Sequence, residues 1–165
     1  MPHSRKYAMT IVALVLGNAV CAPSLAATAA STFTVSATVQ ATCLITANNL
    51  AFGTYTGVLL NGTSTINVTC TNTTPYNVGL NPGVATGATV TTRKMSSAAP
   101  VATLSYALFS NAGMTTNWGQ TIATDTVVGT GNGASQTLTV YGQVAAGQFV
   151  APNLYADTVT ATITY

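Results

Sequence analysis

The chain has 165 residues, 48% of them hydrophobic, with four Lys or Arg, two Asp or Glu, one His and a formal net charge of +2. That length suits one domain with a substantial core. His3, Arg5 and Lys6 sit at the extreme N-terminus, so the positive charge does not describe a nucleic-acid or membrane-binding surface.

The basic start MPHSRK is followed by the apolar run TIVALVLGNAVCA and the small residues PSLAATAAS, the three parts of a secretory signal peptide. Cleavage is expected after Ala26, with Ala27, Ala29 and Ala30 as alternatives, so that residues 1–26 are the signal peptide. The apolar run is broken by Gly17 and Asn18 and falls short of the ~20 residues a membrane span needs. The residues before Cys21, Asn-Ala-Val, lack the small residue and the Leu that precede a lipid-modified cysteine. An exported chain with no integral membrane segment is expected.

After residue 26 the charged residues are Arg93, Lys94, Asp125 and Asp157, a net charge of zero, with no His and no Glu. Two cysteines remain, Cys43 and Cys70, and in an exported protein a disulfide between them is the plain reading. Closing that loop is worth roughly 3–4 kcal/mol in the chain-entropy model. A metal pair would lack further ligands, so neither a metal nor another cofactor is expected.

The first predicted element is FTVSATVQATC, residues 33–43. Phe33, Val35, Ala37, Val39 and Ala41 alternate with Thr34, Ser36, Thr38 and Gln40, the period-two pattern of a strand with one buried face. On pattern alone it serves equally as a first strand paired at home or as one lent to another chain. Strands are then predicted over CLITA (43–47), LAFGTYT (50–56), STINVTC (64–70) and YNVGL (76–80), with turn signals at Asn61-Gly62 and Asn81-Pro82-Gly83. Further strands are predicted over ATLSYALFS (102–110), SQTLTVYGQV (135–144) and LYADTVTATITY (154–165), the last ending at Tyr165 with no strand after it. Short strands without helices describe an all-β, immunoglobulin-like β-sandwich. A small barrel is the main competitor. The T-x-T pieces have no fixed repeat length, which argues against a Thr-rich solenoid.

The inventory leaves little for catalysis. No His can pair with the many hydroxyls, and a two-carboxylate mechanism would need Asp125 and Asp157 to converge. Asp157 reads instead as a carboxylate satisfying turn amides. Arg93-Lys94 reads as a solvated basic tip on a loop, and GTGNGAS (129–135) as a flexible hairpin loop, since no Lys-Ser/Thr pair follows it. Trp118 reads as a packing residue. The chain is not expected to be an enzyme, and no catalytic residue is assigned.

FTVSATVQATC, LAFGTY, STINVTCTN, the isolated Arg93-Lys94-Met95, LSYALF, LTVYGQV and LYADTVTATITY occur in this order. Together they resemble the spore coat protein U domain, the fold of subunits of archaic (Csu-type) chaperone–usher pili. The resemblance covers essentially everything after the signal peptide; its most specific points are the two cysteines, Phe52-Gly53 and the terminal Tyr-x-Asp-Thr strand. One departure is Asn153, where the family often has Gly two residues before the Tyr of the last strand; Asn tolerates a left-handed backbone better than most residues, so the turn is expected to survive.

The resemblance implies an immunoglobulin-like sandwich lacking its final strand, with a hydrophobic groove beside the C-terminal strand, whose inward positions are Val159, Ala161, Ile163 and Tyr165. It implies that a neighbouring subunit fills this groove with its N-terminal segment, here residues 27–42 ahead of a domain at 43–165, through Phe33, Val35, Ala37, Val39 and Ala41. Its implied partners are neighbouring pilin subunits, a periplasmic chaperone and an outer-membrane usher, and its place is the periplasm and then the cell surface, in attachment and biofilm formation. The competing expectation is a secreted, self-contained β-sandwich that binds a ligand or forms a coat.

Overall fold

The computed structural model describes residues 25–99 and 101–165, so the signal-peptide reading falls almost wholly outside the described residues. Residues 25–37 belong to one unit and Thr38–Tyr165 to another. From residue 25 to residue 42 there is no strand or helix, and every residue is exposed. The strand expected over 33–43 is therefore not formed within the single chain: Phe33, Val35 and Val39 are each more than 80% exposed.

The second unit is built of antiparallel strands in two layers. One sheet has the order β1(Cys43–Ala47), β2(Leu60–Cys70), β7(Ser135–Val144), β5(Thr103–Phe109), β4(Arg93–Ser96), and the other the order β6(Val127–Thr130), β3(Pro75–Leu80), β8(Ala161–Thr164). The long pair β2–β7 runs in register from Leu60↔Val144 to Thr69↔Ser135. Its alternation puts Ile66, Val68, Cys70, Val140 and Val144 inward, against Tyr76, Val78 and Leu80 of β3. Trp118 is fully buried among them, and its Nε1 donates to the Val78 carbonyl at 2.8 Å.

Cys43 and Cys70 face each other across β1 and β2 and form a disulfide, with Cα atoms 4.1 Å apart. Converting both to Ser should lower stability by about 2–5 kcal/mol, the usual cost in small exported domains. Thermal unfolding followed by circular dichroism checks this: a clearly lower Tm is expected.

Several sequence readings need correction. LAFGTYT (50–56) is not a strand, and the last run is a strand only over Ala161–Thr164. Two strands, β4 and β6, escape the sequence pattern, because each has four residues and neither alternates cleanly. Arg93 is not a solvated tip but fully buried on β4. GTGNGAS is not a hairpin, since β6 and β7 lie in different sheets. Its backbone is tied down by Gly131 N to Thr74 O (2.7 Å) and Gly133 N to Cys70 O (3.1 Å). Asn153 does not adopt a positive φ; its side chain instead accepts from Leu154 N and donates to Ala99 O.

Candidate functional site

After Ala47 the chain leaves the edge of the five-stranded sheet and passes to the other layer. The departure is fixed by Asn48, whose N donates to Thr65 O (2.9 Å) and whose carbonyl accepts from Ser64 Oγ (2.7 Å). Leu50 and Phe52 then lie over the inward face of β2 and β7, at the paired glycines Gly62↔Gly142. A Cβ on Gly142 would stand 2.8 Å from both Leu50 and Phe52, so this approach needs glycine. Farther on, the Tyr55 hydroxyl donates to Ala145 O (2.7 Å) and Gly147 N donates to Gly57 O (2.9 Å). Segment 48–57 is thus a rim fastened at both ends, with no ladder between.

The opposite rim is residues 154–161. It too is held by side chains where the ladder stops. Asp157 accepts from Val84 N (2.9 Å), Thr158 N (2.8 Å) and the Tyr106 hydroxyl (2.7 Å). Asn81 Oδ1 accepts from Thr160 N (2.9 Å), and Ser96 exchanges backbone bonds with Ala156. Asp157 therefore does satisfy turn amides. Burial and the bond to Asp157 push the Tyr106 phenol far above its ordinary pKa, so it stays a protonated donor across the neutral range.

Between the rims lies a cleft of about 1190 Å³. Its floor is the apolar inner surface: Ile66, Leu104, Tyr106, Leu108, Val140 and Val144. In the second layer, β8 bonds β3 on one side and ends the sheet on the other. The cleft therefore lies beside a free sheet edge, between β8 and segment 48–57.

Of the residues expected to edge a groove, Val159 and Ala161 line this cleft, while Ile163 packs on the core behind it. Tyr165 lies beyond β8 and is not among the residues lining the cleft. The sequence pattern of rim 48–57 reads as an ordinary strand, which hides its role as a wall; the signal lies in Leu50, Phe52 and Tyr55, whose spacing is not strict alternation. Among the described residues no group of three His, Cys, Asp or Glu could hold a metal, and no helix is long and apolar enough to cross a membrane.

The Spore Coat Protein U domain model matches residues 29–162. The chain belongs to the spore coat protein U domain family. It is 35% identical over 159 residues to "Protein U" of Myxococcus xanthus, covering 87% of this chain and 88% of that protein. Among solved structures it is similar to a chain of the CsuC–CsuE chaperone–tip adhesion subunit pre-assembly complex from the archaic chaperone-usher Csu pili of Acinetobacter baumannii. There the TM-score is 0.59 at 24% identity, over 78% of this chain but only 41% of that one. A second similarity, to the Escherichia coli Hda pilus minor tip subunit HdaB, has a TM-score of 0.36 at 19% identity, over 74% of this chain and 79% of that one. The spore coat protein U domain here has the all-β, immunoglobulin-like sandwich fold.

Proposed function

We propose that this protein is a structural subunit of an adhesive pilus of the archaic chaperone–usher type, which polymerises by giving its N-terminal segment to the cleft of a neighbour. The observation that carries this reading is a complementary pair in one chain: a cleft with an apolar floor beside the free edge of β8, and an exposed segment whose apolar face repeats every second residue. Strand addition at an open sheet edge is the recognition mode involved, the one by which chaperone-bound pilins in general are completed. Burying Phe33, Val35 and Val39 contributes about 1.5–3 kcal/mol each, with smaller terms from Ala37 and Ala41, or ~5–10 kcal/mol before ordering costs. A slip of one residue would turn Thr34, Ser36 and Thr38 inward, so the alternation also sets register.

We place the donor antiparallel to β8. The donor joins β1 at the end of the sandwich that holds Cys43, Cys70 and Gly131, whereas β2 begins and β7 finishes at the other end. A donor antiparallel to β8 leaves its acceptor at that other end and goes straight into its own domain, a head-to-tail contact that repeats without closing and makes a fibre. On this reading a chaperone covers the cleft before assembly, an usher exports the subunits, and the fibre serves attachment and biofilm formation at the cell surface. No catalytic role is proposed.

A synthetic peptide of residues 31–42 should displace the chaperone from the exported subunit. A peptide with each apolar–polar neighbour pair exchanged should not. Equal activity of the two peptides would contradict a register-specific slot.

A further inference from the structure

Loops converging on the end of the sandwich where the cleft opens carry an unusual set of exposed apolar side chains. Val58 precedes β2, Val84 follows β3, Val101 joins β4 to β5, and Phe149 and Leu154 follow β7, the last two also lining the mouth of the cleft. Their convergence is fixed by contacts among the loops. Val84 N is bonded to Asp157, Asn153 to Ala99 O and Gly147 N to Gly57 O. Phe149 stands 3.4 Å from the position of a Cβ on Gly57. Phe149 is 92% exposed and Val101 83%. The opposite end is made of Thr71–Thr74 and Gly131–Ala134, small and polar residues in hydrogen-bonded turns. Large apolar side chains exposed together at one end of a domain mark an interaction site.

Resting on the strand-donation reading above, we propose that this apolar collar is a second interface, covered by the Thr71–Thr74 and Gly131–Ala134 end of the subunit that donates the strand. The spacing of the chain selects that occupant. Ala41 is the last residue of the donor's apolar face, and Cys43 already belongs to β1. Only Thr42 lies between, and it is fixed to its own domain: its N donates to Thr71 Oγ1 (3.2 Å), and Thr71 N donates to its carbonyl (3.0 Å). One extended residue spans about 3.3 Å. A donor seated as far as Ala41 therefore brings its own Thr71 and Gly131 loops onto the mouth of the cleft it fills. With no linker to separate the two bodies, the collar and these loops meet, and the junction is stiff.

The test is a Val58→Cys/Asn132→Cys double variant of the full chain, assembled with its chaperone and usher and oxidised. The two positions lie at opposite ends of one sandwich, so they can join only between subunits. The expected result is a ladder that survives boiling without reductant and collapses with it, whereas Val58→Cys alone gives nothing beyond dimers. Inserting Gly-Ser-Gly-Ser between Ala41 and Thr42 of the double variant should keep the heat-sensitive ladder of unboiled samples and lower the covalent ladder about tenfold. A normal unboiled ladder without covalent multimers overturns the collar interface and leaves strand donation standing. Cross-linking of Val58→Cys to the chaperone alone overturns it likewise. Loss of the unboiled ladder from the unmodified protein overturns strand donation, and the collar with it.

Discussion

Replacing Arg93 with Met should cost about 3–5 kcal/mol and lower the Tm by on the order of 10–20 °C. Arg93 is fully buried, and its guanidinium donates to four backbone carbonyls: Asn81 O at 2.9 Å, Val90 O at 2.6 Å, and Leu80 O and Trp118 O at 2.9 and 2.7 Å. It thereby joins β4 to the end of β3, to the loop after it and to the stretch carrying Trp118. Methionine fills much of the volume but supplies no donor, and each buried carbonyl left alone costs about 1–3 kcal/mol. Burial lowers the Arg93 pKa from its ordinary value, and the nearby Asp157 and Asp125 offset part of that. Lysine should rescue little, because a point charge cannot reproduce the planar fork. With whole-domain stabilities near 5–15 kcal/mol, the Met variant should also be exported poorly. Thermal unfolding measures the effect; a shift of only a degree or two would mean the four bonds are dispensable.

The second large effect concerns the donor segment. Val39→Asp should abolish donation while leaving the cleft of the same subunit intact. A carboxylate forced into a floor of Leu104, Leu108, Val140 and Val144 has no partner there, and burying an unpaired charge exceeds the ~5–10 kcal/mol the whole apolar face can supply. The variant should be soluble, since residue 39 is exposed in the single chain. Co-expressed with the unmodified chain, it should still accept a strand but not give one, and so shorten the fibres. Electron microscopy of fibre length against the ratio of the two chains checks this. Unchanged lengths at a high proportion of variant would count against donation through this face.

What the sequence revealed was set by where periodicity and function agree. CLITA, YNVGL and SQTLTVYGQV stand out because alternation, β-branched residues and bounding turns coincide, and their structural counterparts are β1, β3 and β7. The Cys43–Cys70 pairing was legible because no other ligand set was available. Segment 50–56 misled because its apolar residues serve a rim that bonds through side chains, and LYADTVTATITY misled because its first half is held by Asp157 and Asn81 and not by a ladder. Arg93 was hidden altogether. A burial site built from the carbonyls of Leu80, Asn81, Val90 and Trp118 leaves no pattern around the arginine itself. The collar was equally invisible, since Val58, Val84, Val101, Phe149 and Leu154 lie far apart in sequence and come to one end only through the topology.

The most direct measurement is an SDS gel, run without boiling, of the protein exported with its chaperone and usher, beside a variant lacking residues 31–41. Strand donation predicts a ladder of multimers that collapses on boiling and is missing from the variant. A single monomer band in both lanes would contradict it, and would return the protein to the reading of a self-contained binding domain.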